Sequence, residues 1–312
     1  MKSKNIAGLI AIAAIVVVVM LAGCVEENQA NKAELAQKIL ASEDNIDTYK
    51  YDMTMTQDTL LKNETGETTF AQENTGKATI DFTSKKMKME MTTSLESQDN
   101  AGMGERTMEV YLIDKILYMK MDMGIPQLPA QWTKREMPGE YVEFWKSQNQ
   151  LNQQMELLNI SEVEVLKEET MNSEDCYVLK VTPDMEKYGE LSGLMQGLQQ
   201  GVDIGQLIKE MSVKYWIAKD TKFPVKAETV MEMEISSNDL KSAGEKEDFT
   251  MTSNLRTTID FYDYNKPVTI ELPEEAENAA GMEMPQMNMT RGNATKTQMI
   301  PPMNDTEQSA TT

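Results

Sequence analysis

The chain has 312 residues, of which 40% are hydrophobic, and a formal net charge of −21. A surface this acidic repels phosphate groups, so nucleic acid and anionic lipid headgroups are poor electrostatic partners. The absence of histidine removes the commonest general base and the commonest metal ligand.

The amino terminus is built like an export signal. Two lysines precede an apolar run from Ile6 to Ala22, and the run ends in small residues, as in secretory signal peptides. The motif Leu21-Ala22-Gly23-Cys24 resembles the lipobox of secreted lipoproteins. That resemblance implies that residues 1–23 are removed, that Cys24 carries a two-chain lipid, and that the protein sits on the outer side of the cell membrane.

An uncleaved signal anchor is the alternative, because the run nearly reaches the roughly 17–25 residues that span a bilayer. The flanking lysines would stay inside, so the rest of the chain is exported in either case. If Cys24 is lipidated, Cys176 has no partner, and an intrachain disulfide is excluded.

After a polar tether (24–31), the spacing of Leu35, Ile39 and Leu40 predicts a helix over 32–41. Alternating apolar and polar residues then predict an antiparallel meander with one wet face and one dry face. Its strands are centred on Tyr49–Met55, Ala78–Phe82, Met87–Met91, Met108–Leu112 and Leu117–Met121.

Three prolines, Pro126, Pro129 and Pro138, are predicted to end this meander. A helix from Glu140 to Leu158 follows, and its aromatic stripe is expected to pack on the dry face. Further strands are predicted around Val163–Val165, Tyr177–Val181, Val213–Ile217, Val225–Ile235, Phe249–Met251, Ile259–Phe261 and Val268–Leu272.

Beyond Pro273 the apolar periodicity ends, and residues 274–312 contain no aromatic side chain. Such a composition buries too little apolar area to offset the entropy of ordering. The sequence therefore predicts a disordered polar tail after a domain that spans 32–273.

Two motifs resemble the LolA-like and LppX-like lipoproteins. One is the hairpin Tyr215-Trp216-Ile217-Ala218-Lys219-Asp220 with Phe223-Pro224-Val225-Lys226, and the other is Ile259-Asp260-Phe261-Tyr262 followed by Pro267-Val268. The resemblance implies an α+β fold: a strongly curved antiparallel β-sheet, or half-barrel, with helices covering its concave face. It also implies a hydrophobic cavity that takes acyl chains.

Methionine is unusually frequent, with 27 residues, and many repeat at every second position of the predicted strands. Its flexible, polarisable side chain suits a cavity that adapts to apolar ligands, although ordinary core packing explains the same pattern. The predicted lining residues are Tyr51, Met53, Met55, Met87, Met89, Met91, Met119, Met121, Met231 and Met233.

Five glycines recur at every fourth position, which predicts a broken, mobile helical lid over the cavity mouth. A glycine-rich surface loop is the alternative. The five are Gly189, Gly193, Gly197, Gly201 and Gly205.

Five sequons are candidate N-glycosylation sites: Asn63, Asn159, Asn288, Asn293 and Asn304. The spacing of Met282, Met284, Met287 and Met289 is compatible with a Cu(I) site. Because methionine is abundant throughout and the tail has neither His nor Cys, no metal site and no cofactor are predicted.

Catalytic motifs are missing, including the Gly-x-Ser-x-Gly elbow and phosphate-cradling glycine loops, so an enzyme is not predicted. Two functions remain. The first is a membrane-anchored extracytoplasmic lipoprotein that holds a lipid or another hydrophobic ligand. The second is a structural or interaction lipoprotein of the cell envelope with a filled core and no ligand. No nucleic-acid partner is expected, and the sequence identifies no protein partner.

Overall fold

The computed structural model describes residues 33–97, 100–125, 128–137, 141, 145, 149–191, 204–239 and 248–281. The predicted signal segment, Cys24 and the chain beyond 281 lie outside the described residues.

The described strands form one large open sheet of twelve strands in the order β12-β6-β5-β4-β3-β2-β1-β11-β10-β9-β8-β7. All neighbouring pairs are antiparallel except β12 with β6, which are parallel. The strands are β1 (Thr48–Asn63), β2 (Gly66–Asp81), β3 (Lys86–Ser97), β4 (Asn100–Ile113), β5 (Ile116–Asp122), β6 (Gln131–Glu136), β7 (Ser161–Met171), β8 (Glu174–Pro183), β9 (Ile208–Ala218), β10 (Pro224–Ser236), β11 (Phe249–Tyr262) and β12 (Ala280–Gly281).

The predicted antiparallel meander is confirmed, and it occurs twice. Strands β1 to β6 form one run of sequential neighbours and β7 to β11 form another. The two runs meet in the middle of the sheet, where β1 pairs with β11 from Lys50 opposite Tyr262 to Asn63 opposite Phe249. The sheet centre is therefore built from sequence positions about 200 residues apart.

The helices whose bounds are described are few and short, and the chain is also helical at residues 141 and 145. They are α1 (33–42), α2 (Gln150–Asn159), α3 (Met185–Leu191), α4 (Ile204–Leu207) and α5 (Glu274–Glu277), with one 3-10 turn at Glu43–Asn45. Among the described residues, none of the helices has both the length and the apolar character needed to cross a bilayer.

The single helix predicted over 140–158 is wrong in one respect, because the chain is extended at Asn149, with ψ of 97°. The Asn149 side chain caps α2 by accepting a hydrogen bond from the Asn152 backbone N–H at 3.2 Å. This capping bond replaces a backbone partner that a continuous helix would supply, so α2 starts anew at Gln150.

The prolines do not end the first meander, since β6 forms between Pro129 and Pro138 and pairs with β5. The predicted last strand over Val268–Leu272 is also wrong, because these residues have no regular secondary structure. Ile270 is nevertheless buried, at 6% exposure, against Tyr111 and Trp132.

The predicted domain end at Pro273 needs correction, because α5 and β12 follow it within the fold. Ala276 and Ala279 of this segment are 0% and 7% exposed, and they pack with Trp132 on the face of the sheet opposite Tyr49. Because the buried side chains of this segment are small, a search for large apolar residues at regular spacing does not detect it.

Apolar alternation along the predicted strand Val225–Ile235 places Val225 on the same face as Ala227, and this expectation is wrong. The register of β10 with β9 shifts between Pro224, opposite Ile217, and Lys226, opposite Trp216. Because a shift of this kind moves a side chain to the other side of the sheet, Val225 packs with Cys176 and Trp216 rather than with Ala227.

Candidate functional site

The predicted lining residues lie on one face of the sheet, called here the dry face, which carries Tyr49, Tyr51, Met53 and the residues paired with them. Directly opposite residues of antiparallel strands point to the same side, so the pairing arranges this face in rows. The rows change in chemistry from one end of the strands to the other.

One end of the dry face is fully packed and is called the closed end. Its outermost row joins five residues across β1 to β5. All are nearly inaccessible to solvent: Tyr49 (0%), Ile80 (1%), Met87 (1%), Leu112 (0%) and Leu117 (6%).

Helix α2 is held on the dry face by two tyrosines of the sheet, Tyr49 in the closed-end row and Tyr215 in the row that carries Met53. The Tyr49 hydroxyl donates to Asn149 Oδ1 at 2.6 Å and accepts from the Leu151 backbone N–H at 3.3 Å. The Tyr215 hydroxyl donates to Gln154 Oε1 at 2.8 Å. Burial raises the pKa of both phenols, so they remain neutral donors at neutral pH.

Two rows further along β1 is a set of methionines, called here the methionine patch: Met53, Met91, Met108 and Met121. Met91 lies opposite Met108, which lies opposite Met121, while Gly76 separates Met53 from Met91. A Cβ atom on Gly76 would lie 3.7 Å from the Met53 terminal methyl, which is an ordinary contact distance. The first three side chains are half-buried and Met121 is 45% exposed.

Tyr51 stands between the closed end and the methionine patch. Its ring is 1% exposed, and its hydroxyl donates to the Met89 sulfur at 3.8 Å. Ala78 lies between the two residues in the pairing, so the small side chain allows this contact. Burial raises the pKa of Tyr51 to about 12. A thioether is a weak acceptor, so this buried phenol is poorly satisfied compared with Tyr49.

Beyond the methionine patch the dry face of β1, β2, β3 and β11 becomes polar and stays uncharged, and this part is called the polar end. Gln57 Nε2 donates to Ser253 Oγ at 2.8 Å. Thr93 Oγ1 donates to Asn74 Oδ1 at 2.7 Å, and Gln72 Nε2 donates to the same oxygen at 3.2 Å. These residues are buried or half-buried, which is unusual for polar side chains on strand ends.

The ten predicted lining residues therefore divide by exposure. Tyr51, Met87, Met89 and Met231 are buried, while Met121 is exposed. The others are half-buried: Met53, Met55, Met91, Met119 and Met233.

Two surface cavities can be placed relative to the predicted lining. One of about 790 Å³ is lined by residues such as Asp58, Lys62 and Thr252, and by none of the ten predicted side chains. A smaller one of about 330 Å³ includes Met91 and Met108, but most of its lining, such as Glu90, Glu109 and Lys120, belongs to the opposite face of the sheet. Neither cavity is therefore centred on the dry-face methionines.

The predicted glycine lid is described only at its ends. Gly189 is buried within α3, next to Tyr188, which packs on the dry-face core. Gly205 is exposed in α4. Gly193, Gly197 and Gly201 lie outside the described residues, so the lid stays a prediction.

Of the sequons, Asn63 and Asn159 are exposed at element ends. Asn63 Oδ1 accepts from the Thr65 hydroxyl at 2.7 Å and from its backbone N–H at 2.9 Å. Asn288, Asn293 and Asn304 lie outside the described residues, as do Met282, Met284, Met287 and Met289.

The sequence did not predict two apolar clusters on the opposite face. Tyr111 packs with Trp132, with ring centroids 5.8 Å apart, and Trp216 packs with Cys176 and Val178. Bulky aromatics at positions expected to be wet were the available signal. Within the described part of the chain, no group of three or more carboxylate or cysteine side chains is placed to hold a metal ion.

Comparison with models of protein families gives a match over most of the chain. The model of a family of unknown function, DUF6612, matches residues 31–281. Among curated proteins, no relative matches the chain.

Several solved structures are similar to the chain. The lipoprotein LppX of Mycobacterium tuberculosis is 12% identical, with 77% of this chain and 99% of that one covered at a TM-score of 0.38. LprF of Mycobacterium bovis is also 12% identical, with 76% and 96% covered at 0.38. A LolA-superfamily protein of Nitrosomonas europaea is 14% identical, with 77% and 96% covered at 0.19. The predicted resemblance is confirmed as a similarity, but TM-scores this low say nothing about a ligand of this chain.

Proposed function

Because the chain belongs to this family of unknown function, we propose its role from its own residues: it binds an apolar ligand on the methionine patch. The observation that carries the proposal is the incomplete cover of the patch. Met91, Met108 and Met121 stand directly opposite one another on three strands, and the last is 45% exposed. A row of apolar side chains that the protein itself leaves partly uncovered is suited to a ligand.

The chemistry of the patch fits ligands of variable shape. Methionine has three rotatable side-chain bonds and a polarisable sulfur, so a methionine surface adapts to different apolar groups at little cost. In this proposal, the described helices cover the closed end on the concave side of the sheet, and the patch next to it is left for an acyl chain or a similar group.

The test replaces Met91 and Met108 together by glutamine, which has nearly the same length but binds apolar surfaces poorly. Uptake of the apolar dye N-phenylnaphthylamine is expected to fall about tenfold, with an unchanged unfolding transition. Leu166→Gln is the matched control, because Leu166 is also 45% exposed but lies on the edge strand β7. Equal dye uptake by the double variant and the native protein would contradict the proposal.

The second candidate is a structural or interaction protein with a filled core. The dense packing of the closed end, where Tyr49 and Leu112 are 0% exposed, favours it. Native mass spectrometry of gently extracted protein separates the two candidates. A co-purifying lipid supports ligand binding, whereas a ligand-free mass without dye uptake supports the filled core.

The proposal also places the domain outside the cell, anchored by a lipid on Cys24. It is supported by the lipobox-like motif Leu21-Ala22-Gly23-Cys24. Cys24→Ser is expected to abolish labelling by a fatty-acid probe and to leave the precursor uncut. A labelled serine variant would rule out this anchor.

A further inference from the structure

We propose that Asn74 binds the polar head of the ligand, and that the ligand is a long-chain amphiphile whose head offers an acceptor oxygen. The head is either the carboxylate of a free fatty acid or the carbonyl of an acyl ester. This inference rests on the proposed function, because it assumes that the acyl chain lies on the methionine patch.

The first observation is an unpaired donor. Asn74 is 3% exposed, and its Oδ1 accepts hydrogen bonds from both Thr93 and Gln72. Its Nδ2 has no hydrogen-bond partner in the described structure. Buried donors in native proteins are almost always paired, so an unpaired one within a site indicates a missing acceptor.

The second observation is where this donor lies. Asn74 occupies the row after Gly76 on β2, and Gly76 belongs to the row that carries Met53 and Met91. Two residues along a strand correspond to about 7 Å, so the donor sits one step from the methionine patch. An acyl chain that covers the patch therefore brings its first oxygen atoms to Asn74.

The third observation is the distribution of charge. On β1, β2, β3, β10 and β11, all of them fully described, no dry-face side chain is charged, although the chain carries a net charge of −21. The acids of these strands lie on the opposite face, as Asp52, Glu73 and Glu90 do.

The charged side chain nearest Asn74 along this row is a cation. Arg106 lies opposite Thr93, which lies opposite Asn74. A donor with a cation two strands away in its row, and with no carboxylate on the dry face of β1, β2, β3, β10 and β11, suits an acceptor oxygen and repels a cationic head. The acidic side chains of these strands, which would repel an anionic membrane, therefore lie on the face opposite Asn74.

The test measures the affinity of three probes of equal chain length: hexadecanoate, its methyl ester and hexadecane, each delivered from cyclodextrin. The native protein is expected to bind the acid and the ester more tightly than the hydrocarbon. Asn74→Asp keeps the oxygen that Thr93 and Gln72 contact but removes both N–H donors. It should weaken ester binding about tenfold and acid binding further, and leave hexadecane binding unchanged. Asn74→Leu gives the same comparison if the aspartate variant does not fold.

Two further variants sharpen the result. Thr93→Val removes a donor to Oδ1 but keeps Nδ2, so the preference for oxygen-bearing probes should persist. Arg106→Gln identifies the head: weaker binding of the acid alone indicates a carboxylate, and unchanged binding of both indicates an ester carbonyl.

The inference is overturned if the native protein binds hexadecane as tightly as the acid and the ester, or if Asn74→Asp weakens all three probes equally. In both cases an apolar ligand site still exists. Failure of all three probes to bind the native protein would instead refute the proposed function itself.

Discussion

The two ends of the dry face show how one alternating pattern produces two different surfaces. At the closed end, Tyr49, Leu112 and Met87 are at most 1% exposed beneath the helices. Two rows further along the strands, Met53, Met91 and Met108 are only half-buried, and Met121 is 45% exposed. Side chains at both ends alternate with the same period of two. The difference in exposure therefore arises from what covers each end.

At the closed end, α2 is held by specific hydrogen bonds as well as by apolar contacts. Tyr49 and Tyr215 each direct a hydroxyl to α2, which holds the helix over the Tyr49 row and over the β9 end of the Met53 row. At the other end, Gln57, Asn74 and Ser253 form hydrogen bonds within the sheet instead of to α2. Hydrogen bonds of dry-face side chains therefore contribute to where α2 docks.

The largest expected effect tests whether the closed end is truly packed. Leu112→Ala should lower the free energy of unfolding by about 2–5 kcal/mol, because it leaves a cavity at a site with 0% exposure. Met121→Ala, at the uncovered end, should cost less than about 1 kcal/mol. Denaturant unfolding of both variants measures the difference, and similar losses would remove the distinction between the two ends.

The next effect extends the comparison to the opposite face, where residues 274–281 cover Trp132. Ending the chain after Pro273 should lower the free energy of unfolding by about 1–3 kcal/mol, because Ala276 and Ala279 no longer bury that face. Ending it after Gly281 should change the melting temperature little. Equal melting temperatures for the two truncations would show that the segment adds no stability.

A comparable loss is expected when the link between Tyr49 and α2 is cut. Tyr49→Phe leaves Asn149 Oδ1 and the Leu151 N–H without this hydroxyl, which should cost about 1–3 kcal/mol. The rate of amide hydrogen exchange in α2 should rise more than the rate in β2. Unchanged exchange in α2 would show that packing alone holds the helix.

The smallest effect at neutral pH is expected for Tyr51→Phe, at less than about 1 kcal/mol, since a thioether sulfur is a weak acceptor. This deficit of the phenylalanine variant should shrink and then reverse as the pH rises. Burial raises the pKa of Tyr51 to about 12, so folding favours the neutral phenol, and its contribution is lost as pH rises from about 10 toward 12.

The phenylalanine variant should therefore lose less stability than the native protein between pH 10 and pH 11.5, as measured by urea unfolding at each pH. Identical pH profiles would show that Tyr51 is accessible to solvent in the folded protein.

Much of the fold was predictable because strand periodicity is a local property. Tyr49 to Met55 and Met87 to Met91 alternate as the sheet requires, and the antiparallel meander follows from them. The predicted elements were wrong where a single residue alters the path of the backbone or the face to which a side chain points. Asn149 interrupts a helical pattern because its side chain caps α2, and the register shift beside Pro224 moves Val225 to the other face.

The candidate site was predictable only in part. Its methionines were found from composition and period, but Asn74 was not, because one asparagine in a polar strand carries no distinctive signal. The register identifies it by placing Thr93 and Gly76 beside it and leaving its Nδ2 unpaired.

The sequence by itself determined most of the strands, most of their dry side chains and the abundance of methionine. These are properties of adjacent residues and of side-chain period. Only the tertiary structure decided that β1 pairs with β11, that α2 docks on Tyr49 and Tyr215, and that α5 and β12 belong to the fold. Such choices depend on contacts between residues far apart in the chain, whose partners no local pattern specifies.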